Sequence, residues 1–476
     1  MKDIERTRKT IVESCNTNPE AIADLVMNLI ARIEALEAQI HQDSHNSNLP
    51  PSSDGFKRYP KNMRVKSKRR SGGQHGRDGS TLKRTSTPDI TIIHPVDECA
   101  QCGHSLKKVV STHHHRRQVM DIPPLNMIVT EHQTEVKSCP HCGETTSAEF
   151  PHGVTKAVQY GVNLKTIGVY LMQHQLLSSK RTVEAINDLF CCPIAEGSLF
   201  HWANEVSERL EGSYKAIKEH VIASDVIHTD ETGIACKSQL HWLHVACTSD
   251  ATFYAPHLKR GALALNDIGI LPLFKGTAVH DMWASYFKYP CAHSICNAHI
   301  IRELTFAFEE HHQRWAEDLK KLLLNIHHTV ERSRAKGNQF LDVRTLRRYQ
   351  QLYDTLVNKG LRKHPRLRGS PNKRGRVKQS KVRNLLDRLR DHRESVLAFM
   401  YNFEIPFTNN LAERDLRMTK VKLKISGCFR SIVGAEIYCR IRSYISTARK
   451  NAIAPFDAIA NAFFGKPFIL KPIYAE

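Results

Sequence analysis

The stretch from residue 221 to residue 296 constrains the fold of this chain more than any other part. An apolar run over 221–230 ends in polar residues, and 241–247 and 252–255 follow as two further strand-like runs. Residues 261–270 then read as a helix, 276–281 as a fourth strand, 292–296 as a short fifth and 297–310 as a helix. Strands interleaved with helices in this order predict a mixed α/β sheet. Residues 303–401 are mostly helical in pattern, with a basic break at 363–381, and core-like sequence resumes at Ile405.

Three carboxylates stand at critical points of that pattern. Asp230 closes the first strand in Ile227-His228-Thr229-Asp230-Glu231-Thr232-Gly233, and Asp281 closes the fourth in Val279-His280-Asp281-Met282-Trp283. Glu413 opens a helix in Thr408-Asn409-Asn410-Leu411-Ala412-Glu413-Arg414. Adjacent strand ends bring two carboxylates together, and a helix packed on the sheet can supply a third. Clustered carboxylates repel one another unless cations neutralise them. Hard oxygen ligands of this kind suit Mg2+ or Mn2+, and two such ions activate a water or a 3′-hydroxyl and stabilise a leaving oxygen. Each acid also has a structural reading: a turn at Asp230 or Glu231, a helix cap at Asp281, and a capping box between Asn410 and Glu413. Glu231 rivals Asp230 for the first position, and Asp415 rivals Glu413 for the third. His299, in Cys296-Asn297-Ala298-His299, is expected near the metal site or a phosphate, and Cys296 is expected to be buried. Arg414, Arg417, Lys420, Lys422, Lys424 and Arg430 are placed to line a DNA path beside Glu413.

Charge points the same way. The formal net charge is +21, a balance that favours a polyanionic partner, of which nucleic acid is the commonest. No run of about eighteen apolar residues marks a transmembrane helix. The N-terminal residues lack the apolar core of a signal peptide, so the protein is expected to stay in the cytoplasm, associated with the nucleoid.

The thirteen cysteines are odd in number, and without an export signal they argue against a disulfide framework. Four of them form Cys99-Ala100-Gln101-Cys102-Gly103 and Cys139-Pro140-His141-Cys142-Gly143. Two such turns offer four thiolates, the donor set of a structural Zn2+ site. The chain between Cys102 and Cys139 is longer than the fifteen to twenty or so residues usual in ribbon patterns. Short strands at 118–122 and 126–130 are expected to span it.

Ahead of this unit, Ile22, Val26, Leu29, Ile33, Leu36 and Ile40 follow an a/d heptad spacing. The run is short for a coiled coil, and both dimerisation and packing within its own domain fit it. A turn-rich stretch and a basic linker follow, with Lys57, Arg58, Lys61, Arg64, Lys66, Lys68, Arg69 and Arg70. Beyond the zinc unit, helices are expected near 163–177, 180–190 and 196–210. Three short helices with tight turns fit either a helix-turn-helix or an all-helical packing unit. In the first case, His201 and Asn204 on the third helix are the candidate DNA readers.

These motifs together resemble transposases of the insertion-sequence family sixty-six, enzymes of bacterial mobile elements. The resemblance runs over nearly the whole chain and is carried by Asn46-Ser47-Asn48-Leu49-Pro50-Pro51-Ser52-Ser53-Asp54, Gly72-Gly73-Gln74-His75-Gly76, the paired Cys-x-x-Cys-Gly turns, His228-Thr229-Asp230-Glu231-Thr232, Cys296-Asn297-Ala298-His299 and Asn409-Asn410-Leu411-Ala412-Glu413-Arg414. It implies three catalytic acids at Asp230, Asp281 and Glu413, with two Mg2+ or Mn2+ ions. It also implies a ribonuclease-H-like core interrupted by a helical insertion, and accessory proteins from the same element. Thr408 departs from it, standing where an acidic residue is expected before the paired asparagines.

The expected organisation is then an N-terminal helix at 1–45, a basic linker at 46–88, a zinc-binding domain at 89–152, and a helical DNA-binding domain at 153–215. The ribonuclease-H-like core follows in two parts, 216–302 and 403–476, around the insertion at 303–402. The expected activity is metal-dependent cleavage at transposon ends and strand transfer into target DNA by a homo-oligomer. A nuclease that cuts without joining and a catalytically inactive zinc-containing repressor remain as alternatives.

Overall fold

A computed structural model describes residues 19–47, 82–123, 125–367 and 377–471. The expected basic linker falls mostly outside the described residues. Contacts divide the chain into two units, the larger comprising 1–60, 130–188 and 192–476, the smaller 61–129 and 189–191.

The larger unit is built on a five-stranded sheet. Strands β3 (Val226–Cys236), β4 (Gln239–Cys247) and β5 (Thr252–His257) form an antiparallel meander. β6 (Thr277–His280) pairs parallel to β3, and β7 (Ala292–Ile295) parallel to β6, giving the order β5-β4-β3-β6-β7. The mixed sheet thus has the strands expected from the sequence, with both limits of the first one moved and smaller shifts at the others. Residues 221–223 end helix α5 (Glu211–Ala223), and β3 continues six residues beyond Asp230. The cause is the long ladder to β4, which runs from His228↔Cys247 to Cys236↔Gln239. Lys237 and Ser238 turn it with φ of +47° and +63°, the left-handed pair that matches the twist of a tight hairpin.

Each face of the sheet is covered. One packs Ile227, Ala246 and Phe253 against α5, helix α6 (Ala262–Ile268), Phe274 and Tyr286. The other packs Ile234, Leu243, Val245 and Tyr254 against helices α12 (Asn410–Ser426) and α13 (Ile432–Lys450). β7 leads into α7 (Asn297–Glu309), and four more helices intervene before α12: α8 (Arg314–Arg334), α9 (Val343–Lys363), α10 (Lys381–Asp391) and α11 (Arg393–Tyr401). Their amphipathic faces close on a core of their own around Trp315, Tyr353, Leu386 and Phe399, continuous with Ile295 and Ile300.

The three short helices expected after the zinc unit are present as α2 (Val162–Val169), α3 (Ser179–Phe190) and α4 (Glu196–Arg209), with a π-turn at Tyr170–His174 closing the first. They are joined to the sheet unit. Helix α14 (Pro455–Phe463) packs on α2 and α4, Arg209 donates to Phe463 O, and Arg440 donates to Ser207 O at 3.1 Å. His201 is exposed, and the Asn204 amide donates to Glu208 Oε1 at 2.6 Å.

The first helix, α1 (Pro19–Ile40), leaves Val26, Leu29, Ile33, Leu36 and Ile40 exposed. The side chain of Ile22 lies outside the described residues. No helix among the described residues is long and apolar enough to cross a membrane.

The strands of the cysteine-rich region lie elsewhere than expected. Residues 118–122 and 126–130 join no ladder among the described residues, and their apolar side chains Val119, Ile128 and Val129 are exposed. Pairing occurs around the cysteines instead. β1 (Val136–Ser138) and β2 (Thr145–Ser147) flank Cys139 and Cys142, and a Glu98↔Ser105 bridge flanks Cys99 and Cys102. The tight turn itself brings its two flanks into register. Gly103 N–H closes onto Cys99 O at 2.9 Å with φ +71°, and Gly143 N–H onto Cys139 O at 2.8 Å with φ +77°, a conformation glycine adopts without strain. In each turn the first thiol is held below its usual pKa, chiefly by backbone amides (Gln101 then Cys102, and Cys142 then His141), and a sulfur–sulfur contact adds to this.

Candidate active site

The parallel pairing of β3 with β6 sets the position of the first two acids. It runs Val226↔Thr277, Ile227↔Ala278 and His228↔Val279, then stops. Continued by two residues, the same register brings Asp230 level with Asp281. Asp230 therefore stands mid-strand rather than at a strand end, but at the point where β3 outruns its parallel neighbour. Asp281 follows the last residue of β6, as expected, and accepts from Trp283 N–H at 3.2 Å.

The turn at Asp281 is held by neutral imidazoles. Met282 adopts φ +70°, a costly region for a side chain of its size, and it is buried. Its N–H donates to His280 Nδ1 at 3.2 Å. The proton of His280 must then sit on Nε2, which donates to His293 Nδ1 at 3.1 Å, and His293 Nε2 donates to Tyr289 O at 3.1 Å. Burial holds His280 neutral, down to about 3.

The third acid arrives on α12. Its N-cap is Asn409, whose side chain does not cap the helix but turns to β3. Asn409 Nδ2 donates to Thr229 O at 2.8 Å, and its Oδ1 accepts from His228 Nδ1 at 2.9 Å. Its own N–H donates to Cys296 Sγ at 3.2 Å. At the far end of α12, Phe429 exchanges backbone hydrogen bonds with Ala235 and Lys237. The helix carrying Glu413 is thus fixed at both ends to the strand carrying Asp230.

Electrostatics register the resulting proximity. Burial, followed by the charge of Glu231 and then those of Asp281 and Glu413, pushes Asp230 up to about 8, against the pull of the Glu231 amide. The carboxylate oxygens of the two rivals are engaged elsewhere. Glu231, 1% exposed, accepts from Arg260 Nε at 2.7 Å and from Tyr286 Oη. Arg260 is itself stacked between Trp242 and Trp283, at 4.9 and 4.3 Å from the ring centres. Asp415 pairs with Lys450 at 3.0 Å and accepts from Thr252 Oγ1 at 2.8 Å, tying α12 to α13 and β5. Of the acidic pair on β3, Asp230 is the one whose recorded hydrogen bond is a single local one, from the next amide at 2.8 Å.

One group of donor residues among those described has its ligand atoms all within 4.8 Å of one another: Cys296, His299 and Glu413. Asp230 and Asp281 stand outside that trio. Cys296 is fully buried, as expected, and burial followed by the Glu413 charge pushes its thiol up to about 11. Its Sγ lies 3.9 Å from Glu413 Oε1. His299 Nδ1 lies 4.0 Å from the same oxygen, and burial, helped by Arg302, lowers the imidazole to about 4. The ring is neutral at pH 7, so the contact is not an ion pair. His299 is turned inward, beside Glu413, rather than out to the surface.

The basic residues around Glu413 divide into two kinds. Arg414, Arg417, Lys420, Lys424 and Arg430 are exposed. Lys422 lies inward, its ammonium 5.8 and 5.6 Å from the rings of Phe429 and Tyr438, and burial lowers its pKa. Sequence reasoning missed Asn409 and Arg260 as organising residues. The tandem Asn409-Asn410 just before a helix was a usable signal for the first; nothing local marked the second.

Comparison with known proteins gives three matches. The model of the transposase IS66 family matches residues 158–437, more than half of the chain and all of the acids above. The model of the zinc-finger binding domain of transposase IS66 matches residues 97–143, which contain both Cys-x-x-Cys turns. A family of unknown function matches residues 8–83. No curated protein matches.

Proposed function

The chain belongs to the IS66 transposase family, and from that premise we propose that it cuts DNA at the ends of its own element and joins the freed 3′ ends to target DNA, with Asp230, Asp281 and Glu413 as its metal-holding acids. The sheet order, an antiparallel meander with two parallel strands added beside its first member, supports assigning the core as ribonuclease-H-like. The reading is carried by the β3–β6 register, which extends from His228↔Val279 toward Asp230 and Asp281, and by the raised Asp230, where burial comes first, then the charge of Glu231, then the repulsion of Asp281 and Glu413. Such repulsion is what divalent cations relieve, and all-carboxylate donors with access to water suit Mg2+ or Mn2+. Bound there, two ions supply activation of a water or 3′-hydroxyl and stabilisation of the leaving oxygen. The protein's own part is to fix the acids: β3 and β6 set two of them in register, and Asn409 and Phe429 hold the third against β3.

The exposed stripe of Arg414, Arg417, Lys420 and Lys424, with Arg430, follows Glu413 along α12 and is assigned to phosphate contacts. Cys99, Cys102, Cys139 and Cys142 are assigned as the ligands of the structural zinc.

The test uses the full chain and DNA carrying paired end sequences of its element. Asp281→Asn is expected to lower Mg2+-dependent cleavage by at least about a thousandfold while leaving end binding within about twofold. Joined products from the native protein distinguish strand transfer from simple cutting. Cleavage by Asp281→Asn at the native rate removes the reading.

A further inference from the structure

The trio of Cys296, His299 and Glu413 has no part in the reading above beyond Glu413 itself. The Cys-x-x-His spacing sets Cys296 immediately before α7 and His299 in its first turn, on the side that meets the start of α12. Asn297 N–H donates to Phe407 O at 3.0 Å and Asn409 N–H to Cys296 Sγ, so the two helix starts are joined directly. Within that junction, His299 Nδ1 has no solvent contact and no hydrogen-bond partner. A buried ring nitrogen left unpaired is destabilising and calls for a partner. Glu413 Oε1 lies 4.0 Å from it, too far for a hydrogen bond.

We propose that His299 supplies a nitrogen ligand, through Nδ1, to the divalent cation held by Glu413, making that position favour Mn2+ over Mg2+. The inference rests on the reading of Glu413 as a metal-holding acid. Ligands about 2.1 Å from an ion and at right angles lie about 3 Å apart, so the carboxylate must close by about 1 Å. Glu413 can do so: its side chain is 34% exposed, and the described contact on Oε1 is the long one from the Cys296 thiol. Cys296 serves as a positioning residue. Its sulfur accepts from Asn409 N–H while its proton points to Glu413, which orients the carboxylate without binding the metal. An imidazole beside carboxylates raises affinity for transition ions relative to Mg2+, which prefers oxygen and water.

The experiment is pulsed electron paramagnetic resonance on the full chain loaded with Mn2+, beside calorimetric titrations with Mn2+ and Mg2+. The native protein is expected to show 14N modulation from a coordinated imidazole. His299→Ala and His299→Gln should abolish it and weaken Mn2+ binding about tenfold, with Mg2+ binding changed less than about twofold. Cys296→Ser should keep the modulation. Two histidine variants are read so that misfolding of one leaves the other, with circular dichroism as the check. Absence of 14N modulation in the native Mn2+ complex overturns the proposal, as does modulation that survives in both histidine variants. If Mn2+ binding still falls in Glu413→Gln and Asp281→Asn, His299 alone is excluded and the carboxylate site stands. If those variants bind Mn2+ as the native protein does, both readings fall together.

Discussion

Replacing Asn409 by alanine tests the joint between the strand of Asp230 and the helix of Glu413. Asn409 is 1% exposed, and its amide makes two hydrogen bonds to β3, to Thr229 O at 2.8 Å and from His228 Nδ1 at 2.9 Å. Alanine leaves the His228 Nδ1–H unpaired in a site that burial already keeps neutral. That loss costs about 1–3 kcal/mol, and the lost bond to the Thr229 carbonyl, whose second lone pair can still be used, about 0.5–1.5. The backbone bond from Asn409 to Cys296 survives, so the expected destabilisation is about 2–4 kcal/mol. Urea unfolding followed by tryptophan fluorescence reads it, since Trp242 and Trp283 report on the sheet. Asn409→Asp keeps the acceptor for His228 but sets a buried carboxylate against the Thr229 carbonyl, and that desolvation and repulsion should make it cost at least as much. Because β3 and α12 lose the tie nearest Glu413, cleavage by Asn409→Ala should fall more than tenfold at unchanged DNA affinity. A stability loss below about 1 kcal/mol would falsify the claim that this amide locks the two elements.

Three further outcomes follow from other parts of the structure. Removing Arg414, Arg417, Lys420 or Lys424 singly should reduce the slope of log affinity against log salt by about 0.9, whereas Lys422→Ala should leave the slope alone and cost stability; equal slopes for all five contradict the assignment. Burial lowers His244 to about 4, so its unfolded form takes up a proton first as pH falls through about 6.5, and stability is lost below that value. Between pH 6.5 and 5 the native protein should therefore lose about 2 kcal/mol more than His244→Gln, and parallel pH profiles in urea exclude it. Zinc chelation, or Cys139→Ser, should open residues 97–143 to protease while the circular dichroism of the helical remainder holds; an unchanged digestion pattern after the metal is removed counts against a structural zinc there.

Much of this protein is legible in the chain because it depends on local chemistry. The paired Cys-x-x-Cys-Gly turns declare themselves, since glycine after the second cysteine is what lets each turn close, and the same segment matches the zinc-finger domain. Period changes marked the five strands and the helices around them, because burial on one face repeats every second or every third to fourth residue. The position of Glu413 in a first turn was equally local. Strand limits were not: β3 runs past Asp230 because β4 offers a ladder, and residues 118–122 and 126–130 join no ladder among the described residues, where pairing forms around the cysteine turns instead. Side-chain roles were decided only by packing. Glu231 and Asp230 are neighbours of the same chemistry, yet opposite faces of one strand give the first to Arg260 and Tyr286 and leave the second with a local hydrogen bond from the next amide. Lys422 and Lys424 differ in the same way, one over two aromatic rings and one exposed. Sequence determines which groups a chain carries and how each short segment prefers to bend. Which of them meet depends on register and helix rotation, quantities fixed by contacts between residues far apart along the chain.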